Sequence, residues 1–437
     1  MYCFQIIKTS LKLQTMSETS KKVVLAYSGG LDTSCILLWL KEKGYQVIAY
    51  MANIGQEEDF NVAREKALKI GAVKICPKLC IEKDLREVFL SSFVWPAIAC
   101  GLLYESKYLL GTAIARPCIS EALVRIAKSE NASIIAHGAT GKGNDQVRFE
   151  LSCYSLFPDV QILAPWREKE FYTRFSGRSD LLRYAQQNRI PISATPKEPW
   201  STDANLLHIS YESGILENPA TLAPKQIYKM TNDPLNSPTE PEEIEVSFEQ
   251  GYPSSVKKLK TNEIFLTPLK IIECLNEIGG IHGIGRIDIV ENRFIGLKSR
   301  GVYESPGAKI LHEAHQELET FVLDREVSRV KSYLTNKMSD YVYNGFWFSP
   351  ECDFVRNGIL YSQKYVTGAV RLQLYKGTVS ILSRHSKASL YNERLVSMDI
   401  KGGFEPEDAG GFIRTQAYRL KEFNRFKKEA VTLKFIE

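Results

Sequence analysis

The sequence lacks a CxxC pair, although it contains nine cysteines, at positions 3, 35, 76, 80, 100, 118, 153, 274 and 352. Cys76 and Cys80 form the one close pair, and no second pair with metal-site spacing accompanies them. A structural zinc site is built from two such pairs, and a disulfide framework is typical of an even number of cysteines. The cysteines therefore predict reduced, mostly buried thiols in a cytoplasmic protein.

Long apolar runs and a strong net charge are also missing. No run reaches the ~18 apolar residues that a membrane span requires. Lysine and arginine exceed aspartate and glutamate by 56 to 51, which gives a net charge of +5 over 437 residues. This excess is too small to indicate binding to nucleic acid or to an anionic membrane, but it suits a protein whose ligands are small anions.

The first 20 residues contain lysines at positions 8 and 12, no arginine, and no acid before Glu18. A weak transit peptide is one interpretation of this composition. We favour a disordered extension, with Met16 as an alternative start, because the apolar positions are too interrupted for a targeting segment.

Residues 22–190 alternate short β-branched segments with helical stretches, as in VVLAY (23–27) before TSCILLWLKEK (33–43). This alternation is typical of βαβ units and predicts an α/β fold with a doubly wound, mainly parallel sheet. Ligands of such sheets bind beyond the carboxyl ends of the strands.

Residues 232–243 are rich in Pro, Asn and Ser and indicate a surface connection. Alternating strands and a long helical pattern from about 307 to 335 follow, and they predict an α+β domain. We place the α/β domain at 21–188, the α+β domain at 189–405 and a C-terminal helical arm at 406–437. The amphipathic arm packs either on a partner subunit or on its own domain.

His312 and His315 lie three residues apart in the long helical pattern and resemble a metal pair. A third ligand is lacking in the sequence around them. We therefore predict that both histidines lie on a solvated or interface face of the helix.

Residues 26–34 read AYSGGLDTS and lie between a predicted strand and a predicted helix. Gly29 and Gly30 let backbone N–H groups approach a ligand closely, and the helix N-terminus adds a positive dipole. Hydroxyl donors are added by Ser28, Thr33 and Ser34. The loop lacks the lysine of a Walker A sequence, so it predicts an anion site made by dipoles in place of a lysine.

The loop resembles the SGGxDTS signature of the PP-loop ATP pyrophosphatases, which cleave ATP between the α- and β-phosphates. This resemblance explains why the acid Asp32 stands in an anion site. Asp32 either faces the magnesium that accompanies pyrophosphate or orders the loop as a cap on backbone N–H groups. The loop does not decide the substrate, because its relatives include GMP synthetase, asparagine synthetase, NAD synthetase and tRNA-thiolating enzymes.

A second glycine-rich stretch, GATGKGNDQVRFE (138–150), follows the predicted strand SIIAH. Asp145 suits a substrate ammonium and Arg148 suits a carboxylate. By itself, a structural turn closed by an Asn or Asp cap is an equally good interpretation.

The ordered set of motifs is more specific than either loop. The strings AYSGGLDTS, ANIGQ, YLLGT…ARP, HGATGKGNDQVRFE, APWR, PWS…N…HIS, GRIDIVENRFIG and KSRG.YE closely resemble the argininosuccinate synthetase family from about residue 22 to the C-terminus. The resemblance implies an ATP-dependent, AMP-forming ligase that condenses citrulline and aspartate in arginine biosynthesis and the urea cycle. It also implies a cytoplasmic homotetramer that uses ATP and Mg²⁺ and binds neither nucleic acid nor membranes.

The resemblance further implies the residues of the site. ATP is expected at Ala26, Tyr27, Ser28, Gly29, Gly30, Leu31, Asp32, Thr33, Ser34, Ala52, His137 and Gly138. Aspartate is expected at Thr140, Asn144 and Asp145. Citrulline is expected at Tyr108, Thr112, Asn144, Arg148, Ser201, Ser210, Glu291 and Tyr303. No metal site on the protein is expected, since ATP carries the Mg²⁺.

Three of these residues have a different interpretation without the resemblance. Glu291 would be an exposed carboxylate on a strand, and Tyr108 and Tyr303 would be core aromatics. At one position the sequence departs from the family, which commonly has Ser where Ala113 stands. We expect slightly altered citrulline affinity from this difference and no loss of activity.

The implied chemistry has two steps. In the first step, the ureido oxygen of citrulline attacks the α-phosphorus, and pyrophosphate leaves into the 26–34 loop. In the second step, the aspartate amine attacks the activated carbon, and AMP departs. Ser28, Asp32 and Asp145 are the residues expected to be catalytic. The amine proton goes to Asp145 or to a phosphate oxygen, and the sequence does not choose between them.

Two other functions compete with this interpretation. A PP-loop enzyme that modifies tRNA usually brings a catalytic cysteine pair or a basic RNA-binding appendage, and neither is visible. A non-catalytic scaffold or ligand sensor would have no need of an intact loop.

Overall fold

The computed structural model describes residues 21–75, 84–141, 143–191, 199–399 and 402–432. The predicted N-terminal extension and the Cys76/Cys80 pair lie outside this part of the chain. The chain divides between Ala388 and Ser389 into two compact units.

Apolar, β-branched residues build a five-stranded sheet in the first unit. Its strands are β1 (Lys22–Ala26), β2 (Gln46–Tyr50), β3 (Lys74–Ile75), β4 (Ile134–Ala136) and β5 (Gln161–Leu163). All neighbours in the order β3-β2-β1-β4-β5 are parallel. Val24 packs into one core cluster, whereas Val23 and Leu25 pack into another. Successive side chains of a strand point to opposite faces, so both faces of this sheet are covered.

Helices connect these strands and cover the sheet. They are α1 (Leu31–Glu42), α2 (Phe60–Ile70), α3 (Arg86–Phe89), α4 (Trp95–Ala99), α5 (Gly111–Ser129), α6 (Asp145–Leu156), α7 (Lys169–Arg174) and α8 (Arg178–Gln187). A π-helical segment, Leu90–Val94, joins α3 to α4. The predicted doubly wound parallel sheet is confirmed.

The order of the strands defines where a ligand site is expected. The chain moves from β1 outwards to β2 and β3, and later occupies the other side of β1 with β4 and β5. The loops that follow the neighbouring strands β1 and β4 therefore diverge, and such a switch point opens a crevice at the carboxyl edge of a sheet.

Antiparallel strands dominate the rest of the first unit. They are β6 (Ser201–Ala204), β7 (Ile209–Glu212), β8 (Glu242–Glu249), β9 (Tyr252–Lys258), β10 (Ile264–Phe265), β11 (Arg286–Asn292), β12 (Lys298–Glu304), β13 (Gly368–Tyr375) and β14 (Thr378–His385). They form two sheets, ordered β10-β9-β8-β13-β14 and β11-β12-β7-β6. The accompanying helices are α9 (Pro268–Ile281), α10 (Pro306–Val322), α11 (Arg325–Tyr343) and α12 (Pro350–Ser362). The predicted α+β part is confirmed.

The long helical pattern predicted at about 307–335 corresponds to two helices. The carboxylate of Asp324 accepts hydrogen bonds from the backbone N–H groups of Glu326 at 2.9 Å and Val327 at 3.3 Å. This N-cap starts α11 directly after α10 has ended. The apolar periodicity resumes beyond the break, which is why the sequence pattern did not show it.

The predicted exposure of His312 and His315 was wrong. His312 is 3% exposed and His315 is fully buried. The Nε2 atom of His315 lies 2.9 Å from Oε1 of Gln363. Helix α10 packs against α9 and the β13–β14 pair, so most of its circumference is core. The prediction of free, mostly buried thiols is confirmed for the described cysteines, which are Cys35, Cys100, Cys118, Cys153, Cys274 and Cys352.

The second unit contains α13 (Glu393–Val396) and α14 (Pro406–Thr432). Helix α14 confirms the predicted C-terminal helical arm. Six of its apolar side chains are more than half exposed, namely Phe412, Ile413, Tyr418, Leu420, Phe423 and Phe426. Among the described residues, none of the helices combines the length and apolar character that crossing a bilayer demands.

Candidate active site

The loop after β1 turns sharply into α1. Gly29 has a φ of +75°, and a Cβ at this position would lie 2.9 Å from the Cβ of Ala63 on α2. Ser28 Oγ lies 3.1 Å from Thr33 Oγ1, and Thr33 Oγ1 accepts a hydrogen bond from the backbone N–H of Ser28 at 3.3 Å. Glycine is therefore required at position 29 both for the backbone conformation and for the close packing of α2.

A lysine stands behind this loop, although the local sequence contains none. Lys66 of α2 donates a hydrogen bond from Nζ to the carbonyl oxygen of Gly29 at 2.7 Å. Burial lowers the pKa of Lys66, and the neighbouring Cys35 and Glu58 act in the opposite direction. The prediction of a loop that relies on dipoles in place of a lysine is therefore incomplete, because α2 brings a cationic side chain against it.

A cavity of about 780 Å³, which we call the loop cavity, opens beyond the carboxyl ends of β1, β2 and β4. Its lining includes Ala26, Tyr27, Ser28, Gly30, Asp32, Thr33, Ala52, His137 and Gly138. Gly138 approaches α1 closely, since a Cβ there would lie 3.1 Å from Cγ2 of Thr33. The loops after β1 and β4 thus meet at the switch point.

Asp32 lies in the first turn of α1 and lines the loop cavity. Burial raises the pKa of its carboxyl, and the charge of Arg178 partly opposes this effect. A carboxylate in this environment gains from a nearby cation, whether a metal ion or a side chain.

A second cavity of about 240 Å³, which we call the strand cavity, lies beside β7, β11 and β12. Its lining includes Tyr108, Thr112, Thr140, Asn144, Asp145, Arg148, Ser210, Glu291 and Tyr303. Four residues line both cavities, namely Gly138, Ala139, Asp145 and Asp203. The two cavities therefore adjoin, and a group bound in one lies next to a group bound in the other.

A network of charged side chains forms the boundary between the cavities. Nη2 of Arg116, on α5, lies 2.8 Å from Asp145 Oδ2 and 2.6 Å from Asp203 Oδ2. Arg148 donates from Nη1 to Asp145 Oδ1 at 3.0 Å and from Nε to the carbonyl oxygen of Tyr343 at 2.9 Å. Two guanidinium groups thus hold Asp145, whereas Asp203 has one.

The two carboxyl groups consequently differ in pKa. Burial alone would raise the pKa of Asp145, but Arg116 and Arg148 outweigh burial and lower it to about 2. Burial raises the pKa of Asp203, and Arg116 only partly opposes it. Asp145 is therefore a weak base with a permanent charge, and Asp203 is the better proton acceptor.

Tyrosines and a buried carboxyl group build the far side of the strand cavity. Tyr303 donates a hydrogen bond to Glu291 Oε1 at 3.0 Å, and Tyr108 stacks on Tyr303 with ring centroids 4.5 Å apart. Glu291 is 5% exposed, and its Oε2 atom has no hydrogen-bond partner in the described structure. Burial raises the pKa of Glu291, while Arg148 opposes this. Tyr303 also pairs with Ser210 across β12 and β7, so the sheet register assembles this wall.

The comparisons with known proteins agree with this geometry. Residues 22–191 match the family model of the arginosuccinate synthase N-terminal HUP domain, and residues 200–423 match that of the arginosuccinate synthase C-terminal domain. Together these matches span most of the chain. This chain belongs to the argininosuccinate synthase family. The resemblance inferred from the motifs is confirmed.

Individual members of the family are similar along their whole length. The argininosuccinate synthase of Danio rerio is 59% identical over 410 residues, which cover 94% of this chain and 98% of that protein. The argininosuccinate synthase of Homo sapiens is 56% identical over 407 residues, 93% of this chain and 98% of that protein. The chain is therefore an enzyme of this family, and ATP-dependent ligation of citrulline and aspartate is the activity that family membership supports.

Some residues to which the family resemblance assigned a contact lie outside both cavity linings. They are Gly29, Leu31, Ser34 and Ser201. The hydroxyl of Ser34 is fully buried and lies 3.0 Å from the hydroxyl of Tyr27. Ser201 is exposed on β6, where it pairs with Glu212. Ala113, where the family commonly has Ser, is buried in the core, whereas its neighbour Thr112 lines the strand cavity.

The interpretations made without the family were wrong for Glu291 and incomplete for the tyrosines. Glu291 is buried, and its carboxyl group accepts a hydrogen bond from Tyr303, one of the tyrosines of the strand cavity. Tyr108 and Tyr303 are buried as core aromatics would be, and both also line the strand cavity.

Sequence reasoning missed several charged residues of the site. Arg116 lies within the ARP string that carried the family resemblance, but a guanidinium on a helix gives no local sign of its partners. Asp203 lies within the PWS…N…HIS string, and it comes directly after exposed positions of β6. Arg293 and Glu212 also form an ion pair at the strand cavity. Only the long-range pairing of elements shows that these residues belong together.

Proposed function

We propose that the protein condenses citrulline with aspartate through a citrullyl-adenylate, with ATP in the loop cavity and the two amino acids in the strand cavity. The observation that carries this proposal is the shared wall of Gly138, Ala139, Asp145 and Asp203 between the cavities. A reaction in which a urea oxygen attacks the α-phosphorus requires its two reactants in such adjoining spaces.

The glycine loop would receive the pyrophosphate. Backbone N–H groups around Gly30, the hydroxyls of Ser28 and Thr33 and the N-terminus of α1 converge on the loop cavity. Such donors stabilise negative charge without the desolvation cost of a buried lysine. Ala52, at the end of β2, and His137 and Gly138, after β4, would complete the nucleotide contacts.

Asp32 fits a magnesium ion that arrives with ATP. Its carboxylate lines the loop cavity, and burial raises its pKa, so a cation beside it would favour the ionised form. Nucleotide-bound Mg²⁺ usually takes one or two carboxylates and completes its coordination with phosphate oxygens and water. When bound, Mg²⁺ neutralises charge on the phosphates.

In the strand cavity, we assign citrulline to Tyr108, Thr112, Asn144, Arg148, Ser210, Glu291 and Tyr303. The buried Glu291, with one oxygen unpartnered, suits the citrulline ammonium, and Arg148 suits its carboxylate. Ser201, which lines neither cavity, remains a predicted citrulline contact.

Aspartate is assigned to Thr140, Asn144 and Asp145. The charge of Asp145, held by two guanidinium groups, suits a substrate ammonium better than it suits a proton acceptor. Of the two acceptors left open by the sequence, a phosphate oxygen is therefore favoured over Asp145. Asp203 adds a third acceptor, because it lines both cavities and has a raised pKa.

We also propose a domain organisation, an oligomeric state and a localisation for the protein. A nucleotide-binding domain at 21–188 and a synthetase domain at 189–405 are supported by the family matches at 22–191 and 200–423. An oligomerisation role for residues 406–437 is supported by the exposed apolar side chains of α14. We propose a cytoplasmic homotetramer that uses ATP and Mg²⁺ and binds no nucleic acid or membrane.

The test is pyrophosphate release with each substrate omitted in turn. Release of AMP should require both citrulline and aspartate, whereas exchange of labelled pyrophosphate into ATP should require citrulline alone. Exchange that is independent of citrulline would contradict the proposal. Stimulation of exchange by tRNA would favour a tRNA-modifying enzyme, and no ATP cleavage under any condition would favour a sensor or scaffold.

A further inference from the structure

The peptide that joins Gly29 to Gly30 has a glycine on each side. A glycine adopts positive and negative φ values at similar cost, so a peptide between two glycines can reverse its direction with little steric resistance. Gly29 has a φ of +75° and Gly30 a φ of −68°. One direction presents the Gly30 N–H to a ligand, whereas the reversed direction presents the Gly29 carbonyl oxygen. A loop that binds an anion therefore needs a contact that selects the first direction.

Lys66 makes such a contact from helix α2. Its Nζ atom donates a hydrogen bond to the carbonyl oxygen of Gly29 at 2.7 Å, and a charged donor forms a stronger hydrogen bond than a neutral one. Positions 63, 66, 67 and 70 follow the spacing of a single helix face. The other three positions of this face hold Ala63, Ala67 and Ile70, which are the buried residues of α2. Lys66 therefore lies on the inner face of the helix, beside the loop.

The contact with Lys66 determines where the Gly30 N–H points. The described chain contains no cis peptide bond, and the N–H of a trans peptide points opposite to its C=O. The Gly29 carbonyl oxygen points to Lys66, and neither Gly29 nor Lys66 lines the loop cavity. The Gly30 N–H consequently points away from α2, towards Ser28 Oγ at 3.4 Å, and both Ser28 and Gly30 line the loop cavity.

The Gly30 N–H also keeps the capacity to bind a ligand. A distance of 3.4 Å to Ser28 Oγ is long for an N–H···O hydrogen bond, since such bonds are usually 2.7–3.2 Å. An anionic oxygen is a better acceptor than a hydroxyl and would form the shorter, stronger bond. The Gly30 N–H is therefore poised for an anion only while the Gly29 carbonyl oxygen stays on the side of α2.

We infer that Lys66 is a positioning residue for the pyrophosphate site, which holds the Gly29–Gly30 peptide with its N–H directed at the loop cavity. In the reversed direction, the Gly29 carbonyl oxygen would face the negative charge of the ligand and weaken its binding. The inference rests on the proposed binding of pyrophosphate by the 26–34 loop. Lys66 acts through the backbone and does not itself touch the ligand.

The test measures binding of inorganic pyrophosphate with Mg²⁺, and of adenosine, to wild type and Lys66→Met by calorimetry. Methionine keeps an unbranched apolar stem but cannot donate to the Gly29 carbonyl oxygen. Pyrophosphate binding should weaken about tenfold or more, the loss expected for a hydrogen bond to a charged group. Adenosine binding should stay unchanged, because adenosine carries no phosphate.

Lys41→Met is the matched control. Lys41 also donates from Nζ to a backbone carbonyl oxygen, that of Ile70 at 3.3 Å. It lies in the last turn of α1, at the far end of this helix from the 26–34 loop, and it lines neither cavity. The control should keep the wild-type affinity for pyrophosphate. A Lys66→Met variant that binds pyrophosphate as well as the control, or that loses adenosine binding equally, would overturn the inference.

Salt separates positioning from a general effect of charge. A long-range attraction between Lys66 and pyrophosphate would be screened by salt, whereas the hydrogen bond to Gly29 acts at short range. The ratio of the pyrophosphate dissociation constants of Lys66→Met and wild type should therefore be the same at low and at high salt. A ratio that falls to one at high salt would overturn the positioning role.

The same measurements separate this inference from the proposed function. Wild-type protein and Lys66→Met that bind pyrophosphate equally well would overturn the inference and leave the proposed function intact. Wild-type protein that binds no pyrophosphate and releases none from ATP would overturn both.

Discussion

The two cavities of the first unit are built in different ways. The loop cavity takes much of its lining from one local stretch, residues 26–34, together with the ends of β2 and β4. The strand cavity takes its lining from side chains on α5, α6, β6, β7, β11 and β12 and on the loops beside them. Backbone dipoles and hydroxyls dominate the 26–34 loop, whereas paired charges dominate the strand cavity. The difference teaches that the site proposed for an anion can be specified largely by local sequence, whereas the site proposed for zwitterionic substrates depends on long-range pairing.

The physical costs of the two constructions also differ. Peptide N–H groups at a helix start are present in any helix and need only a glycine turn to expose them. Partly buried ions such as Arg116, Asp145 and Asp203 lose part of their hydration, and each depends on its partners to compensate for that loss. Substitutions in the strand cavity should therefore lower both stability and activity, whereas substitutions in the 26–34 loop should lower mainly the rate of the reaction.

The largest effect is expected for Arg116→Gln. The change leaves two partly exposed carboxylates, Asp145 and Asp203, without their shared cation. The free energy of unfolding should therefore fall by less than the ~3–5 kcal/mol that removing one partner of a fully buried pair costs. We expect activity to fall by about 10³-fold or more and the melting temperature to drop, as measured by steady-state kinetics and thermal unfolding. Arg125→Gln on the same helix is the control, because Arg125 forms an exposed pair with Glu121. An Arg116 variant that resembles the control would remove the contrast between the cavities.

Asp32→Asn should slow adenylate formation by about 10²–10³-fold, the range for losing one electrostatic contact to the transition state. The KM for aspartate should change little, since Asp32 lines only the loop cavity. Single-turnover measurement of the first step at saturating substrates checks this. A normal first step would show that Asp32 has a purely local, structural role.

Arg148→Ala should raise the KM for citrulline about 100-fold, because a buried guanidinium that pairs with a carboxylate contributes about 2–5 kcal/mol. The melting temperature should also fall, as Asp145 loses one of its two partners. Arg300→Ala is a suitable comparison, since Arg300 is similarly buried and pairs with Asp288 but lines neither cavity. If both variants raise the citrulline KM equally, Arg148 acts through stability alone.

Acid should remove the stabilising contribution of Asp145. Its folded-state pKa is lowered to about 2, below the value of about 3.9 for an unfolded aspartate. The contribution is therefore fully present above about pH 5 and is lost as the pH falls from about 4 towards 2. Chemical unfolding of wild type and Asp145→Asn at several pH values should show a difference in unfolding free energy that shrinks over this window. A difference that is independent of pH would contradict the charged network.

The smallest effect is expected for Ala113→Ser. Ala113 is 1% exposed and belongs to the core, and Thr112 already presents a hydroxyl to the strand cavity. The KM for citrulline should shift by less than about threefold, which corresponds to well under 1 kcal/mol. The measurement is steady-state kinetics at varied citrulline concentrations. An identical KM would show that this departure from the family has no effect on affinity. A shift beyond tenfold would place residue 113 in the site.

The features that could be predicted from the sequence are the local ones, and those that could not be predicted depend on long-range contacts. Alternation of strands and helices gave the parallel sheet, since the periodicity of 2 and 3.6 is a local property. The break between helices at Asp324 and the burial of His312 and His315 were not predicted, because apolar periodicity does not show which faces of a helix are buried. Lys66 and Asp203 escaped for a similar reason: their partners Gly29 and Arg116 are distant in sequence.

By itself, the sequence determined the fold class, the glycine loop at the end of β1 and the family to which the chain belongs. These features depend on short-range patterns and on the order of motifs. Only the tertiary structure decided that Arg116 joins Asp145 to Asp203, that Lys66 holds the carbonyl oxygen of Gly29, and that the two cavities share a wall. A charged side chain that is removed from water needs ion pairs or hydrogen bonds, so its role depends on the partners that lie beside it. Those partners belong to elements that are far apart in the chain and meet only when the elements pack together.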